Sequence, residues 1–132
     1  MKKSLRAMVV GLTAALCFVG FSVLGSPTAH AAYACDGTAS GALCYYSDAN
    51  GLGAYKSTSV KLANLAGFND QISSVDSWNH YSYYCLHSDA DYKGEILLVG
   101  QWTKINSLSS YHRGILGLGT WNDAASAISL NC

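Results

Sequence analysis

Short apolar and aromatic runs, separated by turn residues, make up most of the chain after residue 40. These runs are rich in β-branched and aromatic side chains, and they lack the period of an amphipathic helix. Turn sequences such as Asn50-Gly51 lie between them. Short strands with frequent turns predict an all-β sandwich or barrel. We predict strands at residues 43–46, 55–60, 72–78, 83–87, 95–99 and 127–130, and at most one helical turn, at 62–65.

The same part of the chain contains an internal repeat. The pattern C-x-x-S-D-A-[N/D]-x-x-G occurs twice, beginning at Cys44 and at Cys85. A second pair of similar segments, beginning at Asn69 and at Asn122, follows in the same order. Ordered matches of this kind predict two related halves. These halves span about 40–79 and 81–131.

The N-terminal region has the organisation of an export signal. A basic start is followed by an apolar run that reaches about Leu24, and then by the small-residue pattern Ala29-His30-Ala31. This order is typical of a secretory signal peptide. We therefore predict a signal peptide at 1–31 and a mature domain at 32–132; the alternative is an uncleaved membrane anchor. With the signal removed, the mature protein is secreted and has no membrane segment.

Loss of the signal changes the charge of the protein. Three of the eight Lys and Arg residues leave with it and all eight Asp and Glu residues stay, so the mature domain carries a formal charge of −3. A nucleic-acid partner requires a basic patch that neutralises phosphates. A mildly acidic domain therefore argues against a nucleic-acid partner.

Four cysteines remain in the mature domain, because Cys17 leaves with the signal. An even number in a short exported chain predicts two disulfides. We favour the pairing that joins the two cysteines closest in sequence and leaves the other two to each other. That pairing is Cys35–Cys44 and Cys85–Cys132. Two other pairings are open, and the alternative to disulfides is a thiolate metal site, which usually needs closer Cys-x-x-Cys spacing.

The repeat and its motifs resemble the βγ-crystallin superfamily, whose fold is a sandwich of two Greek-key motifs. Its first signature combines a tyrosine, an aromatic residue and a glycine in a folded hairpin. Tyr46 and Gly53 fit this signature in the first half, although a glycine takes the aromatic position. Tyr92 and Gly94 fit it in the second half, although His87 replaces the tyrosine. The resemblance implies an all-β fold of two Greek keys.

The second signature of that superfamily is [N/D]-[N/D]-x-x-[S/T]-S, which is associated with calcium. Residues 69–74 satisfy every position, and 122–127 satisfy all but the last, which is Ala127. Side-chain oxygens suit Ca²⁺, which takes about six to eight oxygen ligands. We expect Asp70 and Ser73 to belong to the stronger site, and the alternative is two ordinary turns without metal. The candidate ligands are Asn69, Asp70, Ser73, Asn122, Asp123 and Ser126.

Within the superfamily, the N-terminal stretch is similar to secreted metalloproteinase inhibitors of peptidase inhibitor family 36. The similar features are Cys35, a short loop, and Leu43-Cys44 followed closely by an aromatic residue and serine. The best-known member of that family has its reactive bond in a second short disulfide loop. This chain differs from it, because Cys85 and Cys132 are too far apart in sequence to form such a loop. The resemblance implies a non-enzymatic protein with an extracellular protease as partner.

The candidate inhibitory loop follows from the unequal length of the halves. The second half has about twelve additional residues between its two motifs, and we place them around 105–114. A rigid loop at that point could occlude a protease cleft. Its candidate residues are Lys104, Ile105, Tyr111, His112 and Arg113.

A module that binds cell walls or chitin, similar to antifungal or killer-toxin-like proteins, is the alternative function. Aromatic residues are concentrated at the link between the halves, where their rings could stack on a cell-wall polysaccharide such as chitin. The same residues could instead form the core between the halves, because aromatic side chains carry much of core burial. They are Trp78, Tyr81, Tyr83 and Tyr84. No enzyme is predicted, since the histidines of the mature domain lack a partner at catalytic or zinc-binding spacing.

Overall fold

Nine β-strands are present in the part of the chain that the computed structural model describes, which is Tyr33, Cys35 and residues 40–132. They are β1 Leu43–Asp48, β2 Leu52–Thr58, β3 Ser74–Ser77, β4 Tyr84–Asp89, β5 Lys93–Val99, β6 Lys104–Ile105, β7 His112–Arg113, β8 Gly119–Thr120 and β9 Ala127–Leu130. Single 3₁₀ turns lie at Ala49–Gly51, Ala66–Phe68 and Leu108–Ser110. The all-β prediction is confirmed. The predicted signal peptide, residues 1–31, lies outside the described residues.

The helical elements within the described residues are limited to those single turns. None of them has the length and apolar character needed to cross a membrane. The helical turn predicted at 62–65 is wrong in position, because Leu62 forms a β-bridge and the turn follows at Ala66–Phe68.

The strands form two main antiparallel sheets. The first has the order β2-β1-β3-β6 and the second the order β5-β4-β9, while β7 and β8 form a separate hairpin. The hairpins β1–β2 and β4–β5 each contain a register shift just before their turn, between Tyr46 and Asp48 in one and between His87 and Asp89 in the other. The same irregularity therefore occurs at the same place in both hairpins.

Each half of the chain completes the sheet of the other half. Strand β6, which follows β5 in sequence, pairs with β3 of the first sheet, where Ile105 lies opposite Val75. In return, Leu62 of the first half pairs with Ile128 of β9, and their backbone N–H and C=O groups exchange bonds of 2.8 and 2.9 Å. This reciprocal exchange produces the predicted sandwich of two Greek keys.

The core lies between the two sheets and is filled from the inner faces of their central strands. β1 contributes Leu43 and Tyr45, and β4 contributes Tyr84 and Leu86. Successive side chains of a strand point to opposite faces, which explains the spacing of two. Tyr84 is fully buried, and its hydroxyl lies 2.6 Å from the carbonyl oxygen of Gly41. Tyr84 is therefore a core residue and is excluded from sugar stacking.

The two disulfides hold chain segments against the outer faces of the central strands. Cys35 is bonded to Cys44 of β1, and Cys85 of β4 is bonded to Cys132. The side chain of Tyr46, on the outer face of β1, is fully buried in a second cluster that includes Cys35 and Cys44. Both bridges belong to the favoured pairing, and each lies within one half of the chain.

The additional residues of the second half lie later than predicted. In the first half, the amide of Phe68 donates to the Leu65 carbonyl and the Asn-Asp motif follows at once. In the second half, the amide of Tyr111 donates in the same way to the Leu108 carbonyl, and residues 112–121 then precede the motif. The placement at 105–114 is therefore wrong, because residues 105–111 fill the same structural positions as their first-half counterparts.

Candidate functional site

The two Asn-Asp motifs lie side by side, and each one bonds to the other. The Oγ of Ser126 donates to Oδ1 of Asp70 over 3.2 Å, and the Oγ of Ser73 donates to Oδ1 of Asp123 over 3.3 Å. The backbone follows the same symmetry, since the amide of each aspartate donates over 3.0 Å to a carbonyl of the opposite motif. Each acidic side chain therefore faces the serine of the other half.

A left-handed backbone at each aspartate produces this arrangement. Asp70 and Asp123 have φ values of 53° and 52°, in a region that Asp tolerates better than most residues. The preceding asparagine folds back, so that Asn69 Nδ2 donates to Asp70 Oδ2 over 2.7 Å and Asn122 Nδ2 donates to Asp123 Oδ2 over 2.6 Å. One carboxylate oxygen thus contacts its own asparagine and the other contacts the opposite serine.

This geometry corrects one expectation about the metal ligands. We expected Asp70 and Ser73 to share a site, but the structure brings Asp70 to Ser126 and Ser73 to Asp123. The physical reason is the exchange between the halves, which lays the end of each motif against the start of the other. The structure brings all six candidate residues together, and it divides them into two sets of three. Each set joins the asparagine and aspartate of one half to the serine of the other half.

An open cleft of about 770 Å³ lies beside the Asp70–Ser126 pair, and Asp123 also lines it. Asp70, Ser126 and the Asp89-Ala90 turn of the second hairpin line the cleft, and Arg113 lies on its wall. Arg113 Nε is bonded to Oε2 of Glu95 over 2.8 Å. Because the cleft is open to solvent, a cation can reach the Asp70–Ser126 pair. The full lining is Asn64, Ala66, Asn69, Asp70, Ser88, Asp89, Ala90, Arg113, Asp123, Ala124 and Ser126.

The two hairpins differ in the residue that braces their turns. In the first hairpin, the Oγ of buried Ser74 donates to the Asp48 carbonyl over 2.6 Å and accepts from the Gly51 amide over 3.0 Å. Ala127 occupies the equivalent position on β9 and has no hydroxyl. Ser74 is the last residue of the complete motif. The incomplete motif therefore leaves the second hairpin, which lines the cleft, without this brace.

Strand β4 of the second hairpin contains the buried residue His87. It is 3% exposed, and its Nε2 lies 2.7 Å from Oγ of Ser129. Its Nδ1 has no hydrogen-bond partner among the described residues. Burial lowers the pKa of His87, because a charged ring is poorly solvated there. Its position supports a packing role.

The segment predicted as the inhibitory loop is largely part of the sandwich. Lys104 and Ile105 form β6, and Ile105 is only 3% exposed. A contact between Ile105 and a protease is therefore excluded, because this apolar side chain fills the core. Lys104 Nζ lies 3.5 Å from Oδ2 of Asp76 and 3.8 Å from the ring centroid of Tyr33. Lys104 is thus also engaged by its own domain.

The exposed part of that segment lies at its C-terminal end. Tyr111 and His112 are exposed and Arg113 is half-buried, and the latter two form β7. Strand β7 leads into a hairpin whose tip carries Ile115, Leu116 and Leu118. The sequence analysis missed these three residues. The signal that could have indicated them is the group of apolar residues between glycines in the additional segment of the second half.

Comparison with known families assigns the chain. The sequence profile of Peptidase inhibitor family I36 matches residues 28–99, more than half of the chain. The chain belongs to this family of peptidase inhibitors. The matched residues include both motif hairpins and the complete motif at 69–74, whereas the β7–β8 hairpin lies outside them. The family is non-enzymatic and implies a peptidase as partner. No curated protein sequence matches the chain.

Solved structures similar to this peptidase inhibitor family member have the βγ-crystallin fold. A structure of the eye lens βγ-crystallin domain fold aligns with a TM-score of 0.58 and 20% identity, over 70% of this chain and 86% of that one. The βγ-crystallin from Ciona intestinalis aligns with a TM-score of 0.54 and 18% identity, over 67% and 98%. A βγ-crystallin from an archaeon aligns with a TM-score of 0.54 and 17% identity, over 67% and 94%. The resemblance in fold is confirmed.

A second exposed feature of this inhibitor-family domain is an aromatic cluster at the link between its halves. The ring centroid of Trp102 lies 5.5 Å from that of Trp78 and 4.0 Å from that of His80, and His80 lies 5.9 Å from Tyr81. Tyr81 is 92% exposed and Trp102 is 53% exposed. Sequence reasoning missed Trp102, because it comes from the distant turn between β5 and β6.

Proposed function

We propose that the mature domain is an exported inhibitor of extracellular peptidases, with metallopeptidases as the first class to test. The observation that carries the proposal is the family match over residues 28–99. The disulfides Cys35–Cys44 and Cys85–Cys132 support an extracellular role, because disulfides persist in oxidising compartments. The predicted signal peptide at 1–31 agrees with export.

Inhibition would use a rigid surface that blocks the peptidase cleft. A small sandwich with both end segments held by disulfides presents its loops in a fixed conformation, and such preorganisation reduces the entropy lost on binding. Protease–inhibitor interfaces bury about 800 Å² on each partner. Tyr111, His112 and Arg113 are the residues of the predicted loop that lie at an accessible part of the surface.

The test uses purified protein comprising residues 32–132 and a panel of secreted metallo-, serine and cysteine peptidases. We expect stoichiometric inhibition of at least one peptidase, measured as an inhibition constant from progress curves. Protein that has been reduced and alkylated is the control, and it should lose potency because its loops are no longer held. Inhibition of no peptidase by the native protein would overturn the proposal.

Ca²⁺ binding at the Asp70–Ser126 pair is a further part of the proposed function. The donor set fits the ion, because a carboxylate and a hydroxyl oxygen already lie 3.2 Å apart beside an open cleft and Ca²⁺ prefers oxygen ligands. Asp70 and Ser126 would hold the ion, and carbonyl groups of the adjacent loops would complete its ligands. Bound Ca²⁺ supplies positive charge between the halves and thereby stabilises their contact.

The composition of the site predicts weak affinity. Within the described residues, no group of three or more His, Cys, Asp and Glu side chains is close enough to hold a metal ion. Ca²⁺ would therefore depend on hydroxyl and carbonyl oxygens in addition to Asp70. Extracellular sites of this kind have dissociation constants of about 10⁻⁴–10⁻³ M. Calcium would tune stability without being required for folding, since each half already contains a disulfide of its own.

Carbohydrate binding is the second candidate, and the exposed cluster of Tyr81, His80 and Trp102 favours it. Exposed rings next to polar groups can stack on sugar faces. The test is retention on insoluble chitin, where Tyr81→Ala and Trp102→Ala should each weaken binding. Tyr55→Ala, which removes an exposed ring from β2, is the matched control. Equal retention of all these variants would reject the cluster as the binding surface.

A further inference from the structure

We propose that the β7–β8 hairpin is the element that enters the peptidase, and that the peptidase has an apolar primary specificity pocket. This inference rests on the proposed inhibitory function. The hairpin spans His112 to Thr120, and its tip contains Ile115, Leu116 and Leu118. The family match ends at residue 99, so it assigns no role to this segment.

The sandwich closes without this hairpin. The chain leaves the sandwich after Tyr111 and returns at Trp121, whose amide donates to the Tyr111 carbonyl over 2.9 Å. At the equivalent point of the first half, Phe68 is followed directly by Asn69 and no hairpin is present. The first half shows that the repeated unit folds without such an addition. The apolar composition of the tip is therefore not explained by folding.

The tip is the most exposed aliphatic segment among the described residues. Ile115, Leu116 and Leu118 are 105%, 80% and 86% exposed. Single apolar residues at a protein surface are ordinary, but a contiguous group marks a site of interaction. In an exported domain such a group is suited to contact with a partner, and the family implies that the partner is a peptidase.

Contacts brace the hairpin both at its turn and at its base. The amide of Gly117 donates to the Gly114 carbonyl over 3.2 Å, and both glycines have positive φ, which closes the turn. At the base, Arg113 is bonded to Glu95 over 2.8 Å and lies over the ring of buried Trp121 at 5.5 Å. These contacts preorganise the tip for insertion, so little conformational entropy is lost on binding.

The chemistry of the tip specifies the kind of peptidase. The run Gly114-Ile115-Leu116-Gly117-Leu118-Gly119 contains no charged side chain. It would suit a pocket that accepts leucine or isoleucine, and it would not suit peptidases that select lysine, arginine or acidic residues.

The experiment compares single substitutions at the tip with a matched substitution elsewhere. Leu116→Asp and Leu118→Asp place a charge on the residues that would enter the apolar pocket. Leu98→Asp changes a 54% exposed leucine that lies outside the hairpin, on β5. Inhibition constants are measured against peptidases with apolar, basic and acidic specificity. Thermal melts show that each variant remains folded, as expected for exposed positions.

We expect the native protein to inhibit an apolar-specific peptidase. Each tip variant should raise the inhibition constant at least about tenfold, the effect of removing a residue that anchors an interface, while Leu98→Asp stays close to the native value. Retained potency of folded Leu116→Asp and Leu118→Asp proteins would overturn the role of the hairpin and leave the inhibitory function standing. Inhibition of only basic- or acidic-specific peptidases would overturn the predicted pocket. Inhibition of no peptidase would overturn the proposed function itself, and this inference with it.

Discussion

The ring of Tyr33 lies where a side chain of residue 51 would stand. A Cβ atom added to Gly51 would overlap the Tyr33 ring, and the Tyr33 amide donates to the Gly51 carbonyl over 2.8 Å. The same ring packs edge-on against Tyr46, with centroids 5.5 Å apart. In the second hairpin, Tyr92 lies within the turn and packs against His87 at 5.8 Å. The N-terminal segment thus supplies the aromatic cover that the first hairpin lacks.

Tyr33→Ala should destabilise the domain. The substitution removes the packing against Tyr46, the contact with Lys104 and a hydrogen bond to Asn106. We expect the free energy of unfolding to fall by about 1–3 kcal/mol. Urea denaturation measures this change. The control is Tyr81→Ala, at a position that is 92% exposed, which should change the free energy of unfolding by less than about 0.5 kcal/mol. An equal effect of the two substitutions would contradict the covering role of Tyr33.

Ala127→Ser should stabilise the second hairpin. By analogy with Ser74, the new hydroxyl would bond to the Asp89 carbonyl and the Tyr92 amide. A hydrogen bond of this kind contributes about 0.5–1.5 kcal/mol, which corresponds to a melting temperature higher by about 4–8 °C per kcal/mol. Ser74→Ala should cause the opposite shift. A destabilised Ala127→Ser protein would show that β9 cannot accommodate the hydroxyl.

Calcium binding should couple residues across the halves. At ten times the dissociation constant, Ca²⁺ would raise the free energy of unfolding by about 1.4 kcal/mol. Asp70→Asn and Ser126→Ala should each reduce the calcium-induced shift in melting temperature, and the double substitution should reduce it little further, because both residues serve one site. When Asp70→Asn is combined with Ser73→Ala, their separate effects on the calcium-induced shift should be closer to additive. Melts in millimolar Ca²⁺ and in chelator measure these shifts.

The absence of any calcium-induced shift in the native protein would contradict the site itself. A stronger coupling of Asp70 to Ser73 than to Ser126 would contradict the pairing across the halves. Thermal melts with Mg²⁺ are the ionic-strength control, because Mg²⁺ demands a stricter octahedral geometry and binds poorly to flexible loop sites.

Acid should destabilise the domain through His87. Because burial lowers the pKa of His87, the unfolded chain binds a proton at a higher pH than the folded chain. Stability should therefore be complete above the ordinary pKa of about 6.5 and should fall below it, with a slope of at most about 1.4 kcal/mol per pH unit. Urea denaturation between pH 5 and 7 measures the slope. His87→Gln should flatten it.

The fold was largely readable from the sequence, because it is specified by local and repeated signals. Short apolar and aromatic runs between turn residues predicted most strands, and the duplicated motifs, through their resemblance to the βγ-crystallin superfamily, predicted two Greek keys. The glycines of the two hairpins could also be read from the sequence, because a positive φ in a turn favours glycine. Gly53 and Gly94 both have a φ of 77°. Each of these signals is contained in a single segment or in the repeated copy of that segment.

The contacts between segments were less predictable. The pairing of Asp70 with Ser126 depends on the exchange between the halves, and neither motif contains that information. The position of the additional segment was misjudged because Ile105 and Leu108 look like part of an apolar loop, yet both are buried. Tyr33 was not recognised as the cover of Gly51, because a residue far from the hairpin supplies the missing ring.

The reciprocal exchange of strands also determines what happens when the domain is cut. The link between the halves contains Tyr81, which is 92% exposed, and such a segment is where proteolytic nicking concentrates. No disulfide among the described cysteines joins the halves, since Cys35–Cys44 and Cys85–Cys132 are each internal to one of them. Cleavage at the link would still leave β6 inside the first sheet and Leu62 on β9. The domain would then behave as a non-covalent heterodimer of its own fragments, and a peptidase could nick it there without dismantling it.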